Sequence, residues 1–346
     1  MSHFTVLVIG PDHEAQLQPF HEFECTGIAD QYVQDIDETA EKREEFATET
    51  RTVVKMPSGR VVSSYDDEFY RATRPGEESS GGRYGKVRDL MGLAPYEEKF
   101  DSVEDWADYH GHKIVRDEEP DIAGEHKYGY VRVFAGEIVK AIRRTNPNKQ
   151  WDWWVVGGRW SGFFKLKAGA EGQRGERGLM GSSRSEAPDR ADITIKGAID
   201  FDGMRSIAGA DAAANWEKAR AALVAAGAPL IWRTWEQCRD EDHKVNITAA
   251  RDAYHAQASV VALQASDFHD ADQFLAPFEV YTQAARDSAC VPYAVVHKGE
   301  WASRGEMGWF GMSSGDMDKS QWARLVNDLL DSLPDDTPLT LVDCHI

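Results

Sequence analysis

The sequence has few cysteines and no long hydrophobic run. Its four cysteines lie far apart in 346 residues and none forms a Cys-x-x-Cys pair, so we expect neither a disulfide framework nor a zinc site of the usual spacing. No stretch reaches the roughly 18 apolar residues of a membrane span. Residues 1–10 have no basic start, so no signal peptide is predicted. These absences favour a cytoplasmic protein with reduced thiols.

Positive charge is also scarce. The chain has 39 Lys and Arg residues against 59 Asp and Glu residues, a formal net charge of −20. A phosphate backbone repels such a chain, so this balance argues against direct nucleic-acid binding. With 42% hydrophobic and 28% charged residues, the composition excludes a wholly disordered chain and predicts a packed core.

The familiar catalytic motifs are missing. The sequence contains no P-loop, no Gly-x-Ser-x-Gly, no His-Glu-x-x-His and no Gly-x-Gly-x-x-Gly after a strand. A chemical function therefore has to be sought in residues that the fold brings together.

The order of predicted elements indicates an α+β fold. A first strand, a helix, a hairpin, a helical insertion, a second hairpin, a helix and a last strand follow one another, with the last helix starting at Asp318 and ending before Pro334. Without the insertion, this order predicts a ferredoxin-like antiparallel sheet core with extra hairpins. We expect an α+β core at residues 1–170 and 278–346, a flexible loop at 171–190 and a mainly helical insertion at 191–277.

Two local patterns add to this prediction. Residues 136–145 are interpreted as a helix, with Ile138, Val139 and Ile142 facing inward. Residues 151–167 are interpreted as a hairpin that turns at Gly157 and Gly158.

Tryptophan is concentrated in the first strand of that hairpin, where four of the 11 Trp residues fall within residues 151–160. Because side chains alternate along a strand, Trp151 and Trp153 are expected on one face. The candidate ligand-binding residues are Trp151, Trp153, Arg159 and Trp160, with aromatic rings for stacking and a guanidinium for a phosphate or carboxylate. The alternative is a Trp-rich hairpin packed under helices, with Arg159 in a structural ion pair.

The two ends of the chain form a second candidate site. In a ferredoxin-like sheet the first and last strands are antiparallel neighbours, which places His3 close to His345. Asp343 shares the face of His345 because the side-chain period is two. Two imidazoles and a carboxylate are ligands for Zn, Fe or Mn, so these three residues are the candidate metal ligands and a divalent metal is the candidate cofactor. The alternative is a polar cluster that satisfies local hydrogen bonds at the edge of the sheet.

Five segments resemble a family of proteins from tailed bacteriophages. They are HFTVLVIG at residues 3–10, NPNKQWDWWVVGGRWSGFF at 146–164, KGAIDFDGM at 196–204, EWASRGEMGWFG at 300–311 and LVDCHI at 341–346. The family has no established activity, so the resemblance assigns no catalytic residue. It implies a phage gene product that acts in the bacterial cytosol.

Three functions follow as hypotheses. The leading one is a phage accessory protein that acts by binding in the host cytoplasm, for example in host takeover or anti-defence, with a host protein or a nucleotide-like small molecule as its partner. The alternative is a metal-dependent hydrolase or nuclease that acts on nucleotides through His3, Asp343 and His345. A virion-associated structural protein is the third.

Overall fold

The computed structural model describes residues 2–78, 85–116, 126–178, 186–242, 247–308 and 312–346. Contacts within the chain divide it into two units. One unit combines Met1–His21 with Asn148–Ile346, and the other is Glu22–Pro147. Both boundaries of the second unit fall inside the segment 1–170 that sequence analysis assigned to one core, whereas the helical segment belongs to the same unit as the two chain ends. Hydrophobic periodicity predicts strands and helices but not which of them pack together. Because both units contain strands and helices, it does not predict this division.

In chain order, the strands of the described ranges are β1 His3–Ile9, β2 Gln34–Asp37, β3 Thr50–Lys55, β4 Val61–Ser63, β5 Tyr70–Arg71, β6 Val87–Arg88, β7 Tyr96–Lys99, β8 Ile114–Arg116, β9 Gly129–Phe134, β10 Glu137–Thr145, β11 Trp153–Gly158, β12 Phe164–Lys165, β13 Glu176–Arg177, β14 Arg190–Ala191, β15 Ile193–Ile195, β16 Ala294–His297, β17 Glu300–Ser303, β18 Glu306–Met307, β19 Ser313–Ser314 and β20 Pro338–His345.

The α-helices of the same ranges are α1 His13–Leu17, α2 Phe23–Thr26, α3 Thr39–Thr48, α4 Val103–Tyr109, α5 Phe201–Ala225, α6 Trp235–Asp242, α7 Ile247–His255, α8 Ala258–Gln264, α9 Phe278–Ser288 and α10 Lys319–Ser332. The α+β class is therefore confirmed. Among the helices of the described ranges, none combines the length and apolarity that crossing a membrane requires.

The first unit is built on one mixed sheet with the strand order β13-β11-β20-β1-β16-β17, and β15 also pairs with β20. The first and last strands are antiparallel neighbours, as predicted. One pairing departs from the ferredoxin-like order, because β1 and β16 lie side by side and parallel. A parallel pair needs a long crossover connection, and the segment between these two strands includes the helices α5 to α9.

Side chains on the two faces of β1 enter two different cores. Leu7 and Ile9 pack with Leu341 and with the buried face of α10. The residues between them, such as Val8, pack in the second core with Val342 and the short helix α1. The strand is thus covered on both faces, as its apolar residues on both faces predict.

The helix α10 follows its sequence signals closely. Asp318 caps it by accepting hydrogen bonds from the backbone N–H groups of Ser320 and Gln321 at 2.9 and 3.1 Å. Trp322, Val326 and Leu330 are buried against the first core. This apolar stripe and cap are the reasons that the helix was predictable.

In the unit Glu22–Pro147 the predicted helix at residues 136–145 is wrong. This segment is the strand β10, which pairs with β9 on one side and β2 on the other. Its branched residues Ile138, Val139 and Ile142 have restricted side-chain rotamers and fit a pleated surface better than a helix. Burial of Ile138 with Trp106 of α4 forms the core of this part of the unit.

The predicted hairpin at residues 151–167 is also wrong. Its first strand, β11, pairs with β20 and β13, whereas its second, β12, pairs with β14. Gly157 and Gly158 have positive φ angles of 82° and 53°, which turn the chain out of the sheet at little steric cost. Residues 157–163, which begin with these two glycines, form a loop that is called the Arg159 loop below.

Within residues 191–277, β15 pairs with β20 of the central sheet, and the helices α5 to α8 follow it. These helices share a core that includes Leu223, Leu263 and Phe274. Of the expected flexible loop 171–190, residues 179–185 lie outside the described ranges. The described part contains β13 and donates a backbone hydrogen bond from Gly175 to the Asp192 carboxylate at 3.0 Å.

Candidate functional site

Three neighbouring strands place the candidate residues side by side at one end of the central sheet. In the register of the sheet, His3 of β1 lies opposite His345 of β20, and His345 lies opposite Trp153 of β11. All three side chains lie on the face of the sheet that also carries Leu7 and Ile9. On β1 this face is apolar at Leu7 and Ile9 and polar at Thr5 and His3. The predicted proximity of His3 and His345 is confirmed.

His3 forms an ion-pair geometry with Asp343. The distance from His3 Nδ1 to Asp343 Oδ1 is 2.8 Å, and the side chains are 18% and 2% exposed. The other oxygen of Asp343 accepts a hydrogen bond from the backbone N–H of Arg159 at 2.9 Å. Both carboxylate oxygens are thus occupied, and Asp343 joins His3 to the Arg159 loop.

His345 has a carboxylate partner of its own. Its Nδ1 lies 2.6 Å from Asp152 Oδ1, with side-chain exposures of 12% and 20%. The backbone N–H of Asp152 also donates to the carbonyl of His345 at 2.9 Å. No pattern in the sequence singles out Asp152. It precedes Trp153 directly, and only the pairing of β11 with β20 reveals its role.

The two imidazole rings lie next to each other on the neighbouring strands β1 and β20. Their centroids are 5.0 Å apart and the ring planes meet at 77°, while the His3 ring is 6.1 Å from the Trp153 ring in a similar edge-to-face arrangement. Because each Nδ1 contacts a carboxylate, each ring keeps its Nε2 for another partner.

Trp153 lies beside the His3 ring, and Arg159 lies in the loop whose backbone Asp343 holds. The Trp153 side chain is 51% exposed, and Arg159 is also exposed. Across the part of the chain that the structure describes, no carboxylate forms an ion pair with the Arg159 guanidinium. The alternative interpretation of Arg159 as a structural ion-pair residue therefore finds no partner among those residues.

Trp151 and Trp160 pack in the interior instead. Trp151 is 6% exposed, and its Nε1 donates to the Leu17 carbonyl at 3.0 Å. It shares a core with Trp154 rather than a face with Trp153, so the predicted sharing of a face is wrong. The reason is that Trp151 precedes β11 and forms a separate bridge with His21. Trp160 packs against the core on the other face of the sheet.

A second buried carboxylate, Asp192, fixes the Arg159 loop. It is 0% exposed and accepts backbone hydrogen bonds from Gly162, Phe163 and Gly175 at 2.8, 3.0 and 3.0 Å. Buried carboxylates need such partners, since an unpaired charge in the interior is very unfavourable. The loop is therefore held by two carboxylates, one at each end.

The arrangement can support two kinds of chemistry. Imidazoles whose Nδ1–H donates to a carboxylate are held in one orientation with Nε2 available, as in histidines that bind metals or transfer protons. His3 and His345 would hold a metal through imidazole nitrogens, and Asp343, which contacts Nδ1 of His3, would orient that ring. The metal site proposed for these three residues stays a prediction.

Another polar region lies within the unit Glu22–Pro147. A cavity of about 610 Å³ there is lined by charges of both signs, among them Glu38, Lys42 and Arg143. Glu38 and Arg143 form an ion pair at 2.6 Å. Burial, assisted by the charge of Lys42, lowers the pKa of His112 in the same cavity. Because its charges pair with one another, this cavity indicates no particular class of ligand.

Comparison with known proteins gives no family for the chain: no family model, no curated protein and no solved structure matches it.

Proposed function

We propose that this chain is a phage accessory protein that binds a nucleotide-like, phosphate-bearing small molecule in the host cytoplasm. The observation that supports this most directly is the exposed Trp153 ring beside His3, together with the Arg159 guanidinium, which has no ion-pair partner among the described residues. The phage origin and the host cytoplasm rest on the resemblance of the five sequence segments.

Each part of this group matches one part of a nucleotide. An exposed tryptophan face stacks on a base, which contributes about 1–3 kcal/mol per base in single-stranded complexes. A guanidinium binds phosphate oxygens through two parallel hydrogen bonds. The Arg159 backbone is held by Asp343, so the loop is positioned before the ligand arrives. Such preorganisation reduces the entropic cost of binding.

The net charge favours a small ligand over a polymer. A protein with a formal charge of −20 repels the phosphates of a long nucleic acid along its whole surface. A mononucleotide has few charges and contacts only the local group of Arg159 and the two histidines. The proposal is therefore restricted to nucleotide-sized molecules.

Calorimetric titration of the full chain with AMP, adenosine 2′,3′-cyclic monophosphate and ADP-ribose tests the proposal. We expect saturable binding of at least one of these with one site per chain. Trp153→Ala and Arg159→Ala should each weaken it at least about tenfold, the loss of roughly 1.4 kcal/mol. Arg324→Ala, which removes an exposed guanidinium from α10, is the matched control and should bind normally. Absence of binding to all three compounds, or equal binding by the variants, would show that the proposal is wrong.

A further inference from the structure

We infer that the two His–Asp pairs form a general acid–base pair that hydrolyses a nucleotide phosphodiester without a metal ion. The inference rests on the proposed function, because Trp153 and Arg159 supply the binding of the substrate. It goes beyond that function by assigning a reaction to the four residues His3, Asp343, His345 and Asp152.

Each imidazole has its own carboxylate. His3 Nδ1 contacts Asp343 at 2.8 Å and His345 Nδ1 contacts Asp152 at 2.6 Å. A carboxylate on Nδ1 fixes the orientation of the ring, a role that it has in serine-protease triads.

The two imidazole rings lie close together. Their centroids are 5.0 Å apart in an edge-to-face arrangement, a separation that one phosphoryl group at the edge of the sheet can span. Phosphodiester hydrolysis needs one group that removes a proton from water and another that gives a proton to the leaving oxygen. The pair supplies both roles within the reach of one substrate.

The surroundings of Asp343 favour proton transfer over metal binding. Both oxygens of Asp343 already accept hydrogen bonds, one from His3 and one from the Arg159 backbone. Asp343 is 1% exposed, so a metal between the rings would find two nitrogens and no facing oxygen from this residue. The carboxylates are placed to orient imidazoles, which suits proton transfer.

The position of Trp153 assigns the two roles. Trp153 lies beside His3, which puts the nucleoside on that side of the phosphorus. His345 in its neutral form takes a proton from water through Nε2 as the water oxygen bonds to phosphorus. The bond from phosphorus to the nucleoside oxygen breaks, and that oxygen keeps the electron pair and takes a proton from Nε2 of protonated His3. The products are a phosphate monoester and a free hydroxyl, and exchange with solvent restores both rings.

The test is hydrolysis of adenosine 2′,3′-cyclic monophosphate and bis(p-nitrophenyl) phosphate by the purified full chain in EDTA. We expect turnover of at least one compound. His3→Ala and His345→Ala should each lower kcat at least about 100-fold, the usual contribution of general acid–base catalysis. If an alanine variant fails to fold, His3→Gln and His345→Gln replace it. Added imidazole should partly restore the alanine variants, which a purely structural role would not allow.

The positioning residues and a control complete the experiment. Asp152→Asn should lower kcat with little change in KM, because Asp152 orients His345 and does not touch the substrate. His13→Ala is the matched control, since His13 contacts Trp154 edge-to-face at 5.7 Å on the other face of the sheet. It should leave kcat unchanged.

Each of four results would overturn the inference. Activity that EDTA abolishes and Mn²⁺ restores would identify a metal-dependent hydrolase. Undiminished turnover in the His3 or His345 variants would place the reaction elsewhere. Nucleotide binding without turnover would leave a binding protein and remove only this inference, whereas loss of both binding and turnover would remove the proposed function as well.

Discussion

Two buried carboxylates hold the Arg159 loop, and their partners differ in kind. Asp192 is fully buried and accepts hydrogen bonds from the backbone N–H groups of Gly162, Phe163 and Gly175. Asp343 is 1% exposed and accepts one backbone hydrogen bond, from the loop. Its other oxygen contacts the imidazole of His3.

This difference indicates that Asp192 supports the Arg159 loop, whereas Asp343 also orients a side chain that can take part in chemistry. The partners of Asp192 are backbone groups and a serine hydroxyl, so its effect is confined to the shape of the loop. Asp343 contacts both the loop backbone and the ionisable side chain of His3, which is 18% exposed. It therefore links the position of that side chain to the position of the loop. Burial of a carboxylate alone thus does not mark a functional site. The accessible imidazole among its partners is what distinguishes Asp343 from Asp192.

The largest expected effect is that of Asp192→Ala on stability. The substitution leaves three backbone N–H groups without this acceptor, that of the buried Gly162 and those of the half-buried Phe163 and Gly175. A buried unpaired group costs about 1–3 kcal/mol. We expect the free energy of unfolding to fall by about 3–5 kcal/mol, measured by urea denaturation followed by fluorescence. Asp189→Ala removes a carboxylate that is 49% exposed and should change stability by less than about 0.5 kcal/mol. A similar small change for both variants would contradict the supporting role of Asp192.

Asp343→Asn should have a smaller effect on stability and a larger one on function. The amide oxygen still accepts one hydrogen bond, but the amide nitrogen cannot accept the second, from His3 or from the Arg159 backbone. We expect a loss of about 1–3 kcal/mol in denaturation, with nucleotide binding or turnover falling by more than stability explains. A variant with reduced stability and full function would show that Asp343 acts only as Asp192 does.

The reactivity of the Cys344 thiol reports on the opposite face of β20, the strand that carries Asp343. Cys344 is 0% exposed, and burial together with the charges of Asp343 and Asp152 raises the pKa of its thiol well above the usual value. Burial likewise raises the pKa of Cys290 to about 12. A raised pKa keeps these thiols protonated at pH 8, and the thiolate is the reactive form.

With an aromatic disulfide reagent at pH 8, we therefore expect the exposed Cys25 to react first. Cys238, Cys290 and Cys344 should react only in denaturant. Asp343→Asn should speed the labelling of Cys344 by loosening this end of β20. Labelling of Cys344 at the rate of Cys25 in the unaltered protein would contradict the buried position of the strand.

Trp153→Ala should have the smallest effect on stability. The side chain is 51% exposed, so we expect a change of less than about 0.5 kcal/mol in denaturation. The same substitution at buried Trp151, whose ring is 6% exposed, should cost about 3–5 kcal/mol. Equal costs at the two positions would mean that Trp153 also packs in the core.

The sequence predicts the strands and helix whose signals are local. Alternation in β1 and the cap and stripe of α10 predict their elements, and the pairing of the first and last strands places His3 beside His345. Residues 136–145 contradict the helix prediction because pairing with two strands outweighs a pattern that also fits helical spacing.

The partners of the histidines were only half predictable. Asp343 follows from the two-residue period of β20, whereas Asp152 depends on the register between β11 and β20. Asp192 is recognised only once the turn at Gly157 and Gly158 is known. The sequence predicted the Trp/Arg group and the His/Asp group as two separate candidate sites. In the structure the Arg159 loop and His3 both contact the carboxylate of Asp343.

The most direct test of a single site at this edge of the sheet is calorimetric titration with AMP in EDTA, because AMP is a monoester that the inferred diester hydrolysis leaves unchanged. The His3→Gln, Trp153→Ala and Arg159→Ala variants are compared with the unaltered chain. We predict binding at one site per chain, weakened at least about tenfold by each substitution. Binding that all three variants retain, or no binding by the unaltered chain, would contradict the account.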